Sequence, residues 1–130
     1  MSFGRFNYQQ YIKDAVKNLW ESGILVVAAA GNAGNGQKSY PASYDHVISV
    51  AAVDSSKNRA SFSQHNDHVE ISAPGVEIYS TYTNSTYKLM RGTSMAAPHV
   101  AAVAALVWTH FPEFNNAQIR YVLATNCRLL

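Results

Sequence analysis

A single cysteine, Cys127, stands in a chain of 130 residues, so no internal disulfide framework is available to it. Charge is scarce as well. Asp, Glu, Lys and Arg make up 14% of the chain, the formal net charge is +2, and the basic residues are scattered. With no basic cluster, nucleic-acid binding has little support, and no nucleic-acid partner is expected. The scarcity also has a structural consequence: much of the surface must be Ser, Asn, Tyr and Gly, or must be covered by something else. The longest apolar run is too short for a bilayer and carries Pro98 and His99 near its start, so no membrane partner is expected. Residues 1–5 are no signal peptide, because no apolar h-region follows them. Repeats, low-complexity stretches and interior linkers are all lacking. With 48% hydrophobic residues, the composition suits one compact domain or part of one.

What the chain does have centres on Ser94, in Arg91-Gly92-Thr93-Ser94-Met95-Ala96-Ala97-Pro98-His99-Val100. The small apolar run that follows, through Val107, suits a buried helix packed closely on its neighbours. Ser94 would stand in that helix's first turn, where unpaired N–H groups and the positive dipole end favour a developing negative charge. Acyl-transfer chemistry wants its nucleophile there. The same spacing also fits Thr93 or Ser94 as a plain helix cap. A second segment, the continuous apolar run of residues 23–30, reads as a strand buried on both faces. It stops at Gly31-Asn32-Ala33-Gly34-Asn35-Gly36. Gly31 lets the backbone turn, and Asn32 places a neutral N–H₂ donor at the carboxyl end of the strand, where open α/β sheets bind ligands. Asn beside Gly is also an ordinary turn residue.

The remaining elements follow from periodicity. Residues 8–22 carry Tyr8, Tyr11, Ile12, Ala15, Val16 and Leu19 at helical spacing, with Gly23 as the stop. Residues 47–53 read as a buried strand, and 69–73 and 77–81 as shorter ones divided by Pro74-Gly75. Residues 87–90 form the return strand of a hairpin whose loop holds Thr83-Asn84-Ser85. The helix after Ser94 spans about 93–109, and Pro112 bars its extension. Asn115 or Asn116 caps a last helix carrying Ile119, Val122 and Leu123 on one face. This alternation argues for a layered α/β fold with a mostly parallel sheet. Trp20, Trp108 and most of the eight tyrosines are expected to be packing residues.

Taken together, these segments resemble the subtilisin-like serine proteases. Gly92-Thr93-Ser94-Met95-Ala96-Ala97-Pro98-His99-Val100-Ala101 is similar to that family's nucleophile motif, and Ala28-Ala29-Ala30-Gly31-Asn32 to the segment holding its oxyanion-hole Asn. Between them, Tyr40-Pro41-Ala42, Val50-Ala51-Ala52-Val53-Asp54, Arg59-Ala60-Ser61-Phe62-Ser63 and Ala73-Pro74-Gly75 keep the family's order. The resemblance covers residues 2 to about 124. It implies a three-layer fold and a secreted or extracellular parent acting on peptides or proteins. It also implies Ser94 as nucleophile, with the Asn32 side chain and the Ser94 N–H as oxyanion donors. The backbone of Ser2, Phe3 and Gly4 would pair with an extended substrate by strand addition. Ala29, Ala30, Gly31 and Ala42 would line a roomy pocket for the side chain before the scissile bond. No cofactor is implied for this chain, although family members often bind structural calcium.

The departures matter as much as the matches. The family's catalytic Asp and His precede the position of Ser2, in an Asp-Ser/Thr-Gly and a His-Gly-Thr-His-Val motif, and neither is present. The chain ends at Cys127-Arg128-Leu129-Leu130, before the closing segment such domains carry. Ala102 stands where the family usually has Gly in the nucleophile helix, an added methyl that could tighten helix packing. The expectation is an incomplete portion: residues 1–130 as the second half of a peptidase domain, with the first half as missing partner and the isolated chain inactive. No internal histidine replaces the base. His99 lies five positions from Ser94, about 140° around a helix, and His110 four helical turns away. His65-Asn66-Asp67-His68-Val69-Glu70 has ligand atoms for a metal, but its polar, irregular surroundings read as a solvated loop. Asn84-Ser85-Thr86 is a glycosylation acceptor only in a secreted eukaryotic parent. Two other functions compete: a non-catalytic binding or structural module derived from the family, and an esterase-like hydrolase. The second would want Gly at Ala96 and gives Asn32 no place.

Overall fold

The computed structural model of the chain describes residues 1–127, and the last three residues of the expected C-terminal tetrapeptide lie outside it. Three parallel strands form the central sheet in the order β1-β2-β3: Val26–Ala29, Val47–Val53 and Val69–Pro74. The alternation of side chains across a strand assigns each residue to a face. On one face Val27, Ala29, Ile48, Val50 and Ala52 join Ala96, Ala97, Val100, Ile119 and Leu123 of two helices. On the other, Val26, Ala28 and Val47 pack with Val16 of a third helix and with Ala42 and Tyr44. The layers are therefore helix, sheet, helix pair. All seven residues of β2 are buried, as expected for a central parallel strand covered on both sides.

Helix α1, Gln10–Glu21, lays Ile12, Val16 and Leu19 on the sheet. It ends as its sequence dictates. Gly23 takes φ +81°, Gly23 N–H donates to the Trp20 carbonyl at 2.9 Å, and Ile24 N–H to that of Leu19 at 3.0 Å. Those two bonds make a Schellman cap, which glycine forms without a Cβ penalty. Tyr11 and Ala15, expected on the packed face, are exposed, because the stripe touching the sheet is only one residue wide per turn.

A hairpin of β4, Ile78–Tyr82, and β5, Thr86–Met90, stands apart from the sheet. Its turn puts Asn84 and Ser85 at φ +56° and +55°, the left-handed pair that a right-twisted two-stranded ribbon prefers. Helix α3, Asn116–Thr125, begins with a reciprocal capping box: Asn115 Oδ1 accepts from Gln118 N–H at 2.9 Å, and Gln118 Oε1 accepts from Asn115 N–H at 2.8 Å. Asn115 is thus the cap, while Asn116 donates to the Trp20 carbonyl at 2.8 Å and ties α3 to the end of α1. Arg120 grips Glu70 with three hydrogen bonds, at 2.9, 3.0 and 2.6 Å, and fastens α3 to β3.

Two packing expectations are corrected. Helix α2, Thr93–His110, is not packed all round: Thr93, Ala96, Ala97, Val100 and Ala104 are buried, but Val103 is 48% and Leu106 71% exposed. Only one side of α2 meets the sheet among the described residues. Ala102 lies on the open side, so its methyl tightens nothing in the core. Of the eight tyrosines, six are exposed and only Tyr44 is buried. They sit on the hairpin, on the outer faces of α1 and α3, and at Tyr8. Neighbouring rings touch some of them, Tyr79 against Tyr87 and Tyr8 edge-on to Tyr40 and Tyr44, and still leave them exposed.

Candidate active site

Helix α2 starts at the carboxyl end of β1, and its first turn meets the loop that leaves that strand. Gly92 precedes the helix with φ +149°, a conformation natural to glycine, and offers no side chain as a cap. Neither Thr93 nor Ser94 caps its own helix. The cap comes from 61 residues away: Asn32 Oδ1 accepts from Thr93 N–H at 2.9 Å and from Thr93 Oγ1 at 2.9 Å. Thr93 Oγ1 in turn accepts from Gly31 N–H at 3.1 Å. Two donors on one oxygen fix which end of the Asn32 amide is which. The Nδ2 end therefore faces the other way, and lies 3.4 Å from where a Cβ on Gly92 would be. The Ser94 backbone nitrogen lies 3.7 Å from that same point. As a first-turn amide it has no partner within the helix. Both nitrogens thus lie within 4 Å of one point beside Gly92, at the positive end of an 18-residue helix.

Ser94 Oγ donates to the Ser2 carbonyl at 3.0 Å, and Ser2 Oγ donates to the Ser94 carbonyl at 2.8 Å. This reciprocal pair fastens residues 1–6 across the mouth of the site. The Met1 carbonyl accepts from Ala29 N–H at 3.0 Å on the outer edge of β1, and the Met1 amino group donates to the Val27 carbonyl. Burial lowers the pKa of that amino group. Further along, Arg5 and Tyr40 exchange bonds of 2.9 and 2.7 Å as an antiparallel bridge.

A cavity of about 260 Å³ opens here, and Ser2, Phe3, Gly4, Ala29, Gly31, Asn32 and Ser94 all line it. Seven of the nine residues expected at the site are thereby brought together. Ala30 and Ala42 are not among the lining residues. Ala30 is 1% exposed, its N–H bonded to Val50 O at 2.9 Å, and Ala42 is 1% exposed in the core beneath α1. Strand alternation turns Ala30 away from its neighbour Ala29, and the Pro41 turn carries Ala42 inward. Arg5, Phe6, Ser39 and Thr93 complete the lining without having been singled out. Thr93 is the consequential one, since it joins Asn32, Gly31 and the helix. Its place beside Ser94 was legible, but not its partner on another segment.

No side-chain base is bonded to Ser94 among the described residues. His99 is tied through Nδ1 to the Met95 carbonyl at 2.7 Å, one turn back on its own helix. His46 stacks on Trp20, and His110 packs edge-on against Phe111 at the far end of α2. A second cavity on the other side of Ser94, about 540 Å³, is walled by Ile78, Met90, Met95, Pro98 and Ala102 and is broadly open. In the polar stretch 65–70, Glu70 is held by Arg120, and Asp67 lies 3.4 Å from Lys38. Among the described residues no three His, Cys, Asp or Glu side chains are grouped to hold a metal ion. No described helix is long and apolar enough to cross a membrane.

A family model described as the Subtilase family matches residues 1–128. The chain belongs to the subtilase family. Subtilisin DY of Bacillus licheniformis is 49% identical over 129 residues, covering 96% of this chain and 47% of its own length. Minor extracellular protease Epr of Bacillus subtilis is 44% identical over 127 residues, covering 97% of this chain and 20% of its own. Among solved structures, a protease of Pseudoalteromonas arctica superposes with a TM-score of 0.94 at 30% identity, over 99% of this chain and 43% of that one. A cold-adapted subtilisin-like serine proteinase gives 0.91 at 34% identity, over 96% and 46%. The chain thus spans half or less of the length of these subtilase relatives. Its three-layer arrangement with a parallel sheet is the subtilisin-like fold, present here in part.

Proposed function

We propose that this chain is the nucleophile-bearing portion of a serine endopeptidase that hydrolyses peptide bonds. Ser94 Oγ attacks the scissile carbonyl. The carbonyl oxygen becomes an oxyanion in the space beside Gly92, where Asn32 Nδ2 and the Ser94 N–H receive it. Residues 2–4 hold the extended substrate by strand addition, and the cavity between Gly4, Ala29 and Gly31 takes the preceding side chain. The attack requires that the Ser94 proton leave to a base, and that an acidic group orient the base. We assign both to a segment outside this chain that carries the family's Asp and His. The second, open cavity beside Ser94 has room for an imidazole. The chemistry uses no cofactor from this chain, and neither a nucleic acid nor a membrane is a partner. The name of one relative, an extracellular protease, supports a secreted parent.

The observation that supports the reading is that Asn32 Nδ2 and the Ser94 nitrogen both lie near one point beside Gly92, with the Asn32 amide oriented by its bonds from Thr93. Donors fixed in advance at the site of developing charge supply roughly 2.7–4 kcal/mol each in such enzymes. A non-catalytic module is favoured by one observation: Ser94 Oγ donates to a backbone carbonyl, not to a base. Two measurements separate these readings. The reading frame preceding Met1 either encodes the Asp and His motifs or does not. A fluorophosphonate probe should leave Ser94 of the isolated chain unlabelled, whereas stoichiometric labelling would mean that a base lies within this chain.

A further inference from the structure

We propose that Gln64 is the positioning residue for the Asn32 loop, and through it for the oxyanion donors; the proposal rests on the reading of Asn32 given above. Gln64 is 0% exposed, although its side chain is an uncharged amide in a polar stretch. Burial of an amide is costly unless every donor and acceptor is matched. Here they are matched by one loop. Gln64 Oε1 accepts from Ala33 N–H at 2.7 Å, and Nε2 donates to Asn35 Oδ1 at 2.9 Å and to the Gln37 carbonyl at 3.0 Å. Its backbone N–H donates to the Gly31 carbonyl at 3.0 Å. Gln64 therefore holds the residue on each side of Asn32, one through its main chain and one through its side chain.

Glycine is required where the two meet. Gly31 has φ +114°, and a Cβ there would stand 2.8 Å from Gln64 Cγ. The loop wraps the amide instead of covering it with side chains. Two further bonds, Gly34 N–H to the Phe62 carbonyl at 2.7 Å and His65 N–H to that of Asn35 at 3.1 Å, attach the rest of the loop to residues 62–65. None of these bonds reaches Asn32 itself. Asn32 is left with its backbone clamped on both sides by Gln64 and its side chain clamped by Thr93, which fixes the direction of Nδ2.

Thr93 N–H offers a reporter that a merely structural Gln64 would not move, because its acceptor is Asn32 Oδ1. The test is residue-resolved hydrogen exchange on the full chain, which needs neither turnover nor a monomer. Gln64→Glu keeps the acceptor for Ala33 but loses both N–H donations, so Thr93 and Gly34 amides should exchange at least about tenfold faster, with β2 and α3 unchanged. Asn35→Ala, at an exposed position, removes the acceptor shared by Gln64 Nε2 and Gln37 N–H and leaves the other Gln64 bonds, so it should give a smaller rise at the same amides. It carries the test if Gln64→Glu loses protection throughout. Unchanged Thr93 exchange alongside faster Ala33 and Gly34 exchange would overturn the proposal and leave Gln64 as loop packing. Failure of the peptidase reading shows elsewhere, as absent turnover when the chain is joined to an Asp- and His-bearing half.

Discussion

The two sides of helix α2 are chemically similar and structurally opposite. Toward the sheet, Ala96, Ala97, Val100 and Ala104 are at most 5% exposed against Ile48, Val50 and Ala52. Toward the outside, Val103 and Leu106 are open to water. Apolar residues of both sides share one helix of small residues, so the sequence gives them similar weight. The difference is supplied by partners alone. Surface area tells the same story: the structure exposes 7780 Å², against about 6800 Å² for a compact monomer of 14.3 kDa. Exposed apolar patches of this kind mark interaction sites. Among the described residues, the outer edge of β1 is open in the same sense, paired only by Met1. The closed side positions Ser94 and Asn32. The open side is where we place the segment carrying the base.

The sharpest way to break that comparison is to change a residue on each side. In the core that the closed side joins, Ile119→Ala of α3 removes a fully buried side chain and should cost about 2–5 kcal/mol, lowering the melting transition or abolishing it. At the site, Asn32→Leu in the complemented enzyme should lower kcat about a hundred- to a thousandfold with KM little changed. Steady-state kinetics on peptide substrates reads both. Gly92→Ala forces a side chain into φ +149° against Asn32 Nδ2, and should cost roughly 1–3 kcal/mol in stability. Removing the cap by Asn115→Ala should cost about 1 kcal/mol in thermal or denaturant unfolding. Leu106→Ser on the open side should change stability of the isolated chain by no more than about 0.5 kcal/mol. It should nonetheless weaken both self-association, followed by sedimentation, and complementation. A Leu106→Ser loss as large as that of Ile119→Ala would erase the distinction between the two sides.

Local chemistry made much of the fold legible. The strand at residues 47–53 has the bounds that its apolar run predicts. The hairpin turn falls on Asn84-Ser85 because few residues tolerate two left-handed conformations in succession. The sequence leaves Asn115 or Asn116 as the cap of the last helix, and in the structure Asn115 is the cap. At the site, the family resemblance placed Ser94, Asn32 and residues 2–4 together, and all five line one cavity. What was not legible depends on contacts between distant segments. Thr93 looks like a cap in sequence and acts as a clasp for Asn32. Gln64 sits in a polar stretch indistinguishable from solvated loop, yet is buried inside the loop of residues 31–37. Ala30 and Ala42 carry the small side chains a pocket wall needs, and only the pleat and the turn at Pro41 say that they face the core. The half-covered state of α2 is not written in its own periodicity, which reports apolarity and not who is present to cover it; only the expected missing half pointed to it.

The central claim is that Ser94 sits in a site with its oxyanion donors in place and its base supplied from outside. Mixing the chain with the portion of Subtilisin DY that this chain does not span tests it directly. Fluorophosphonate labelling is mapped to the residue, and Ser94→Ala serves as control. The account predicts no labelling of either part alone and labelling at Ser94, with peptide turnover, when both are present and associated. Labelling of the chain alone, or an associated pair in which Ser94 stays unreactive, would contradict it.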